Sequence, residues 1–117
     1  MNIWYHVTDL EAAQEFYKRT FGFEQVYKDE EDRWARMVRD GLEIALAEGE
    51  FEGGGEGREE DGIATLEVTD IKAEADRLRE AGLNVGVVLE IPGTIRLLDV
   101  FDPDGNRLQL VEQLREE

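Results

Sequence analysis

Few side chains in this sequence could take part in catalysis. The 117 residues include no cysteine and a single histidine, His6, which excludes a thiol nucleophile and a thiolate metal site. The sequence places no cysteine or serine as a partner for His6, and a lone histidine is more often a hydrogen-bonded structural residue than a catalyst. His6 therefore stays a candidate for contact with a ligand.

Two carboxylates lie within otherwise apolar stretches of the chain, at Glu67 and Asp99. A carboxylate in such a place needs an ion-pair partner, a ligand or a raised pKa if it is buried. Arg96 and Arg107 are the alternative partners, and exposure at a sheet edge is a further alternative. We take Glu67 and Asp99 as candidate ligand-binding residues.

The two tryptophans, Trp4 and Trp34, are the aromatic candidates. Indole rings stack on flat ligands and hold cations over their faces. Both residues also fit a packed core or a dimer interface, where aromatic side chains are enriched. Apolar and aromatic walls with a few polar groups are typical of small-molecule pockets, so Trp4 and Trp34 join the candidate binding residues.

The first half of the chain predicts a strand, a helix and three further strands. Residues 2–7 alternate, which places Trp4 and His6 on one face of a strand and Tyr5 on the other. Asp9 can cap a helix that ends at Gly22. Three strands follow over 23–28, 34–38 and 42–47, the last two joined at Asp40-Gly41, a common hairpin turn.

The second half repeats this order. Val7-Thr8-Asp9-Leu10 recurs as Val68-Thr69-Asp70-Ile71, each time after a strand and before a helix that ends at a glycine. Strands are predicted over 63–68, 83–91, 94–101 and 107–112. A unit that cannot cover its own sheet is stabilised by its twin. The sequence therefore predicts an α+β protein, with two βαβββ modules that form a cupped mixed sheet.

A turn in the second half positions one more polar residue. The run Asp102-Pro103-Asp104-Gly105-Asn106 consists of turn-forming residues between apolar flanks. It predicts a hairpin between the last two strands. Gln109 then points to the sheet face opposite to Leu108 and Leu110, which makes it a candidate for ligand contact.

Charge limits the partners of this chain. Its 29 acidic and 13 basic side chains give a formal charge of -16, which repels phosphate backbones and anionic lipid. We therefore expect neither nucleic acid nor a membrane surface as a partner. The surplus of acid suits a cationic ligand, but a composition selected for solubility or salt tolerance explains it better.

Length predicts a single domain over residues 1–117. Within it we place module one at 1–47, a connector rich in glycine and solvated glutamate at 48–62, and module two at 63–117. No stretch approaches the roughly 20 apolar residues of a membrane span, and no apolar leader opens the sequence. A cytoplasmic location is the expectation.

With these motifs the sequence resembles the vicinal oxygen chelate superfamily, which includes glyoxalases, extradiol dioxygenases, fosfomycin resistance enzymes and bleomycin resistance proteins. The resemblance covers nearly the whole chain. The segments that carry it are Val7-Thr8-Asp9-Leu10, Phe16-Tyr17, Phe21-Gly22-Phe23, Val68-Thr69-Asp70-Ile71, Ala81-Gly82 and Asp102-Pro103-Asp104-Gly105-Asn106.

The resemblance also implies where a metal would bind. The positions that match the family's two histidines hold Asn2 and Ile63, and those that match its carboxylates hold Gln109 and Ala45. A divalent metal needs imidazole or carboxylate ligands at about 2.0–2.2 Å. Neutral amides at Asn2 and Gln109 would coordinate weakly, and isoleucine and alanine supply nothing. We predict no functional metal site and no cofactor.

Three functions remain open. The first is a metal-free binding protein that resembles the bleomycin resistance branch, acts as a homodimer and sequesters a cationic or aromatic compound. The second is a glyoxalase-type enzyme with unfamiliar metal ligands, and the third is a dimerising scaffold whose cup is filled by its own side chains. The replaced ligand positions favour a protein that is not an enzyme.

Overall fold

The computed structural model describes residues 3–49 and 63–114. The chain divides into two compact units, Met1–Gly62 and Ile63–Glu117. Each unit has its own helix and its own sheet, so the α+β class predicted from the sequence is confirmed. Neither helix of the described part of the chain is long and apolar enough to cross a bilayer.

The first unit has the predicted order of elements. It comprises β1 (Trp4–Val7), α1 (Leu10–Phe21), β2 (Glu24–Asp29), β3 (Trp34–Arg39) and β4 (Leu42–Glu48). The strands lie in the order β1-β4-β3-β2. β1 runs parallel to β4, and the other neighbours are antiparallel.

Local sequence signals set the ends of these elements. The Asp9 carboxylate accepts a hydrogen bond from the amide of Ala12 at 3.0 Å and caps α1. Gly22 ends the helix with φ at 76°, a left-handed conformation that glycine adopts without steric cost. Asp40 and Gly41 have φ of 51° and 83°, as the two central residues of a type I′ hairpin turn require.

The core of the first unit lies between α1 and one face of the sheet. Tyr5 and Val7 are buried, whereas Trp4 and His6 are half-buried, as the alternation predicts. Tyr17 of α1 is fully buried within a cluster of aromatic rings. The face that carries Trp4 and His6 is therefore the face of the sheet that α1 does not cover.

The second unit follows the same plan with one difference. It comprises β5 (Ala64–Glu67), α2 (Ile71–Glu80), β6 (Asn84–Val85), β7 (Leu89–Ile91), β8 (Ile95–Phe101) and β9 (Arg107–Gln113). The strands β5, β9, β8 and β6 are neighbours in that order, and β7 also pairs with β8. The strand predicted over 83–91 is thus two short strands.

The break between β6 and β7 begins at Gly86, which lies close to the backbone of β8. Its amide donates to the carbonyl of Asp99 at 2.8 Å, and a Cβ at this position would lie 3.4 Å from that oxygen. A glycine inside a strand weakens the pairing and marks a close approach of two backbones. The alternation of apolar residues over 83–91 did not reveal this.

The predicted hairpin between β8 and β9 is present, and Asp102 organises its turn. Asp102 is 5% exposed, and its carboxylate bonds within the turn. Oδ1 accepts hydrogen bonds from the amides of Asp104 at 2.9 Å and Asn106 at 2.8 Å, and Oδ2 accepts one from Nδ2 of Asn106 at 3.0 Å. Gly105 has φ of 87°. The turn fixes the register of β8 and β9, and hence the place of Gln109.

A carboxylate at the end of β4 holds the start of α1. Oε2 of Glu48 accepts a hydrogen bond from the amide of Leu10 at 2.9 Å, and Oε1 accepts one from Nε of Arg33 at 3.0 Å. The hydrogen bonds from Arg33 and then from the Leu10 amide lower the pKa of Glu48. The sequence predicts Glu48 in the solvated acidic connector, and this is wrong because the structure places it in β4 with these partners.

The second unit repeats this contact at the start of α2. Oε1 of Glu112, near the end of β9, accepts a hydrogen bond from the amide of Ile71 at 2.9 Å. Arg96 lies 3.4 Å from Glu112 and 2.8 Å from Glu90. Arg96 is one of the two arginines that the sequence offers as alternative partners for Glu67 and Asp99, and it contacts Glu90 and Glu112 instead.

Candidate functional site

A cleft of about 210 Å³ lies on the first unit. Trp4, Trp34, Arg36, Glu43 and Ala45 are among the residues that line it. It brings together two of the predicted binding residues and Ala45, which the resemblance places at a position of a metal ligand. We therefore take this cleft as the candidate site.

The strand register puts four of the side chains in one row across the sheet. Trp4 lies opposite Ala45, Ala45 opposite Arg36, and Arg36 opposite Tyr27. Residues in register project to the same face, and so do residues two positions away on each strand. Trp34 therefore shares this face with Arg36. The same spacing from Ala45 places Glu43 there.

The aromatic rings on this face of the sheet contact one another. The ring centroids of Trp4 and Trp34 are 5.5 Å apart with planes tilted by 46°. Those of Tyr27 and Trp34 are 5.2 Å apart with a tilt of 48°. Such tilted pairs are favourable for the ring quadrupoles, and Tyr27 keeps 45% of its surface exposed. Together they form a surface on which a flat molecule could pack.

One cation and one anion stand beside these rings. The Arg36 guanidinium carbon lies 5.6 Å from the centroid of Tyr27 and 6.0 Å from that of Trp34, within the range of a cation–π contact. Nε of Arg36 lies 2.8 Å from Oε2 of Glu43. The side chains of Arg36 and Glu43 are 44% and 54% exposed, so both remain accessible to a ligand.

His6 has a structural contact in the first unit. Its Nδ1 lies 2.8 Å from the carbonyl oxygen of Gly49. A carbonyl only accepts hydrogen bonds, so Nδ1 carries the hydrogen in this contact. His6 thereby holds the end of β4 beside β1, and it is not among the residues that line the cleft.

The second unit brings two more candidates together. Asp99 lies opposite Gln109, and Gln109 opposite Thr65. Nε2 of Gln109 is 3.4 Å from Oδ1 of Asp99, and Nε of Arg107 is 3.3 Å from the same oxygen. Of the two arginine partners considered for Asp99, the structure selects Arg107.

Glu67 lies on the same sheet face, one pair of residues further along. It is opposite Val111 of β9 and is exposed. Alternate residues on a strand are about 7 Å apart, so Glu67 follows Thr65 by one such step. Exposure was one of the alternatives considered for Glu67.

An acidic cluster of the first unit has the spacing of a metal site but already has cationic partners. Asp9, Glu11 and Glu48 have carboxylate oxygens within 4.8 Å of one another. Arg33 donates to Glu11 at 2.7 Å and to Glu48 at 3.0 Å, and Lys28 donates to Glu11 at 2.7 Å. The bonds from Arg33 and then Lys28 lower the pKa of Glu11 to about 2. Glu11 and Glu48 therefore belong to an ion-pair network, and the Asp9 carboxylate caps α1.

The described residues that the resemblance places at metal-ligand positions do not fit a divalent metal. Ala45 is buried at 8% exposure, Ile63 has an aliphatic side chain, and Gln109 donates its amide hydrogen to Asp99. Hard and borderline cations require anionic oxygen or imidazole nitrogen. The remaining position, Asn2, lies outside the described residues.

Tyr27, Arg36 and Glu43 were missed in the sequence. A signal existed for Arg36, because a two-residue turn at Asp40-Gly41 sets the register that places it opposite Ala45. None existed for Tyr27, because the pairing of β2 with β3 shifts by a bulge between Gln25 and Tyr27.

A sequence model of the Glyoxalase/Bleomycin resistance protein/Dioxygenase superfamily matches residues 3–110. No curated protein gives a significant match. Among solved structures, a superfamily member from Sphaerobacter thermophilus is similar at 30% identity with a TM-score of 0.68, over 97% of both chains.

Two further structures are similar over most of their length. One is an antibiotic-binding protein from a Streptomyces species, with 26% identity and a TM-score of 0.67 over 97% of this chain and 95% of that one. The other is a fosfomycin resistance protein from Listeria monocytogenes, with 17% identity and a TM-score of 0.73 over 96% and 90%. The second likeness concerns the fold alone.

Proposed function

The chain belongs to the glyoxalase/bleomycin resistance protein/dioxygenase superfamily, and we propose that it is a metal-free binding protein that holds a flat aromatic compound. The observation that carries this proposal is the cleft of the first unit, with Trp4 and Trp34 in ring contact at its wall. Stacked aromatic side chains beside a few polar groups are typical of small-molecule sites.

The side chains at the positions of the superfamily's metal ligands support a metal-free protein. Enzymes of this superfamily that use a metal need anionic or imidazole ligands, and Ala45, Ile63 and Gln109 provide one neutral amide between them. The Gln109 amide is also engaged by Asp99. A glyoxalase-type reaction would therefore need ligands from elsewhere.

The ligand class is supported by a relative. The similar Streptomyces protein is described as antibiotic-binding, and we extend that role to a drug-like aromatic compound here. In this proposal Asp99, Gln109 and Glu67 are polar binding residues of the second unit. His6 does not touch the ligand but supports β1, which carries Trp4.

The proposal includes a homodimer, whose mass native mass spectrometry would report together with any retained ligand. It also includes a cytoplasmic location, which fractionation of host cells would check.

Binding can be tested with the two tryptophans as reporters. The chain has two indole groups, and both are at the cleft, so ¹⁵N spectra give one N–H signal for each. We would titrate four bicyclic probes of similar size: quinoline, quinazoline-2,4-dione, 1-methylquinolinium and 2-naphthoate. Saturable shifts of both signals by at least one probe are expected.

Variants at Trp34 separate stacking from folding. Trp34→Ala removes a ring that contacts Trp4 and Tyr27, and the affinity of the bound probe, followed at the Trp4 signal, should fall about tenfold. Trp34→Phe keeps an aromatic face and should lose less than half of that effect on a logarithmic scale. Absence of saturable binding by all four probes would refute the proposed function, as would turnover of a hemithioacetal that chelator abolishes.

A further inference from the structure

The charges at the cleft differ from those of the whole chain. The formal charge of -16 favours a cationic ligand, yet Arg36 and Glu43 are the ionisable residues among those that line the cleft. They form an ion pair of 2.8 Å, so their charges cancel. An incoming cation would meet no net negative charge from the cleft wall itself.

The aromatic faces already have a cation beside them. The Arg36 guanidinium lies within 6.0 Å of the centroids of both Tyr27 and Trp34. An external cation on these rings would experience repulsion from Arg36 at short range. It would also compete for the same ring quadrupoles. This arrangement disfavours the cationic ligand that the composition suggests.

The ion pair of Arg36 and Glu43 uses only some of the hydrogen-bonding groups of the two side chains. Its contact joins Nε of Arg36 to Oε2 of Glu43. Within the described part of the chain, no other hydrogen bond is formed by the Nη groups of Arg36 or by Oε1 of Glu43. A guanidinium only donates and a carboxylate only accepts. The pair therefore offers donors and an acceptor side by side, next to the rings.

We propose, on the basis of the proposed function above, that the cleft selects an uncharged planar ring compound with a lactam or imide edge. In such an edge a ring carbonyl accepts from Arg36 while the adjacent ring N–H donates to Glu43. The flat ring packs against Trp4 and Trp34. The same pair recognises neither a bare hydrocarbon ring nor a simple aromatic cation well.

The four probes defined above test this choice directly in the wild-type protein. Quinazoline-2,4-dione has the imide edge, quinoline is uncharged without it, 1-methylquinolinium is a cation and 2-naphthoate is an anion. At pH 7 and 0.1 M salt, quinazoline-2,4-dione should bind at least fivefold more tightly than each of the others. If quinoline, 1-methylquinolinium or 2-naphthoate binds as tightly, the inference is wrong while the proposed function stands. If no probe binds, both fail.

Variants of the ion pair test the mechanism. Arg36→Met and Glu43→Gln should each weaken quinazoline-2,4-dione about tenfold and change quinoline less than threefold. Arg19→Met and Glu15→Gln are the controls, because they alter an exposed pair on α1, 3.5 Å apart, with the same changes of charge. Unchanged binding of quinazoline-2,4-dione in both cleft variants would overturn the inference, whatever the ranking of the probes.

Discussion

Replacement of Asp102 is expected to destabilise the protein more than replacement of any other acidic residue in the β8–β9 hairpin. Asp102 is 5% exposed, and its carboxylate accepts hydrogen bonds at 2.8, 2.9 and 3.0 Å. Hydrogen bonds to a charged group contribute about 1.5–3 kcal/mol each. Three such bonds at the low end of this range would give about 4.5 kcal/mol. Water can reach part of the turn once the side chain is removed and offsets some of this loss, so we expect about 3 kcal/mol for Asp102→Ala.

Two further variants isolate the cause. Asp102→Asn keeps an oxygen for the amides of Asp104 and Asn106 but places a donor near Nδ2 of Asn106, and it should cost about 1 kcal/mol. Asp104→Ala keeps the backbone amide that bonds to Asp102 and removes an exposed side chain, so it should cost about 0.5 kcal/mol or less.

Urea unfolding followed by circular dichroism measures these changes, and an unchanged m-value would show that the denatured state is unaffected. The reasoning is refuted if Asp102→Ala lies within about 0.5 kcal/mol of the wild type. It is equally refuted if Asp104→Ala is the more destabilising of the two. β8 and β9 carry Asp99 and Gln109, which are binding residues in the proposed function. Probe binding should therefore be recorded for the same variants.

Three further outcomes are expected. Since Arg33 and Lys28 hold the pKa of Glu11 near 2, below its unfolded value, the stabilisation is complete above about pH 4.5 and is lost as the pH falls toward 2; thermal unfolding of Glu11→Gln should depend less on pH in that range. Gly41→Ala should lower stability by about 1 kcal/mol in urea unfolding, because φ is 83° there. Elemental analysis of protein purified without chelator should find no stoichiometric metal, and metal that Gln109→Ala removes would contradict the metal-free proposal.

Much of the fold could be predicted because short-range chemistry specifies it. The caps at Asp9 and Gly22 and the hairpin turns at Asp40-Gly41 and Asp102–Asn106 follow from residues a few positions apart. The alternation that separates Trp4 from Tyr5 is equally local. The repeat of Val-Thr-Asp at residues 7–9 and 68–70 is also a local pattern, and its two occurrences predict the two modules.

Predictions failed where a contact joins distant parts of the chain. Glu48 and Glu112 look like ordinary acids in the sequence, but each bonds to the first amide of a helix that begins far earlier. The sequence leaves Arg96 and Arg107 as alternative partners of Asp99, and only the strand pairing shows that Arg107 lies beside it while Arg96 contacts Glu90 and Glu112. The break at Gly86 depends on the backbone of Asp99, which only the pairing with β8 brings close.

The sequence by itself determined the α+β modules, the side chains on each strand face and the absence of thiol chemistry. It did so because helical and strand periods, caps and turns act over a few residues. Only the tertiary structure decided that Trp4 lies opposite Ala45 and that Arg36 and Glu43 stand beside the two indole rings. β1 and β4 are parallel strands separated by a helix and two other strands, so no local spacing fixes their register, and the composition of the cleft depends on that register.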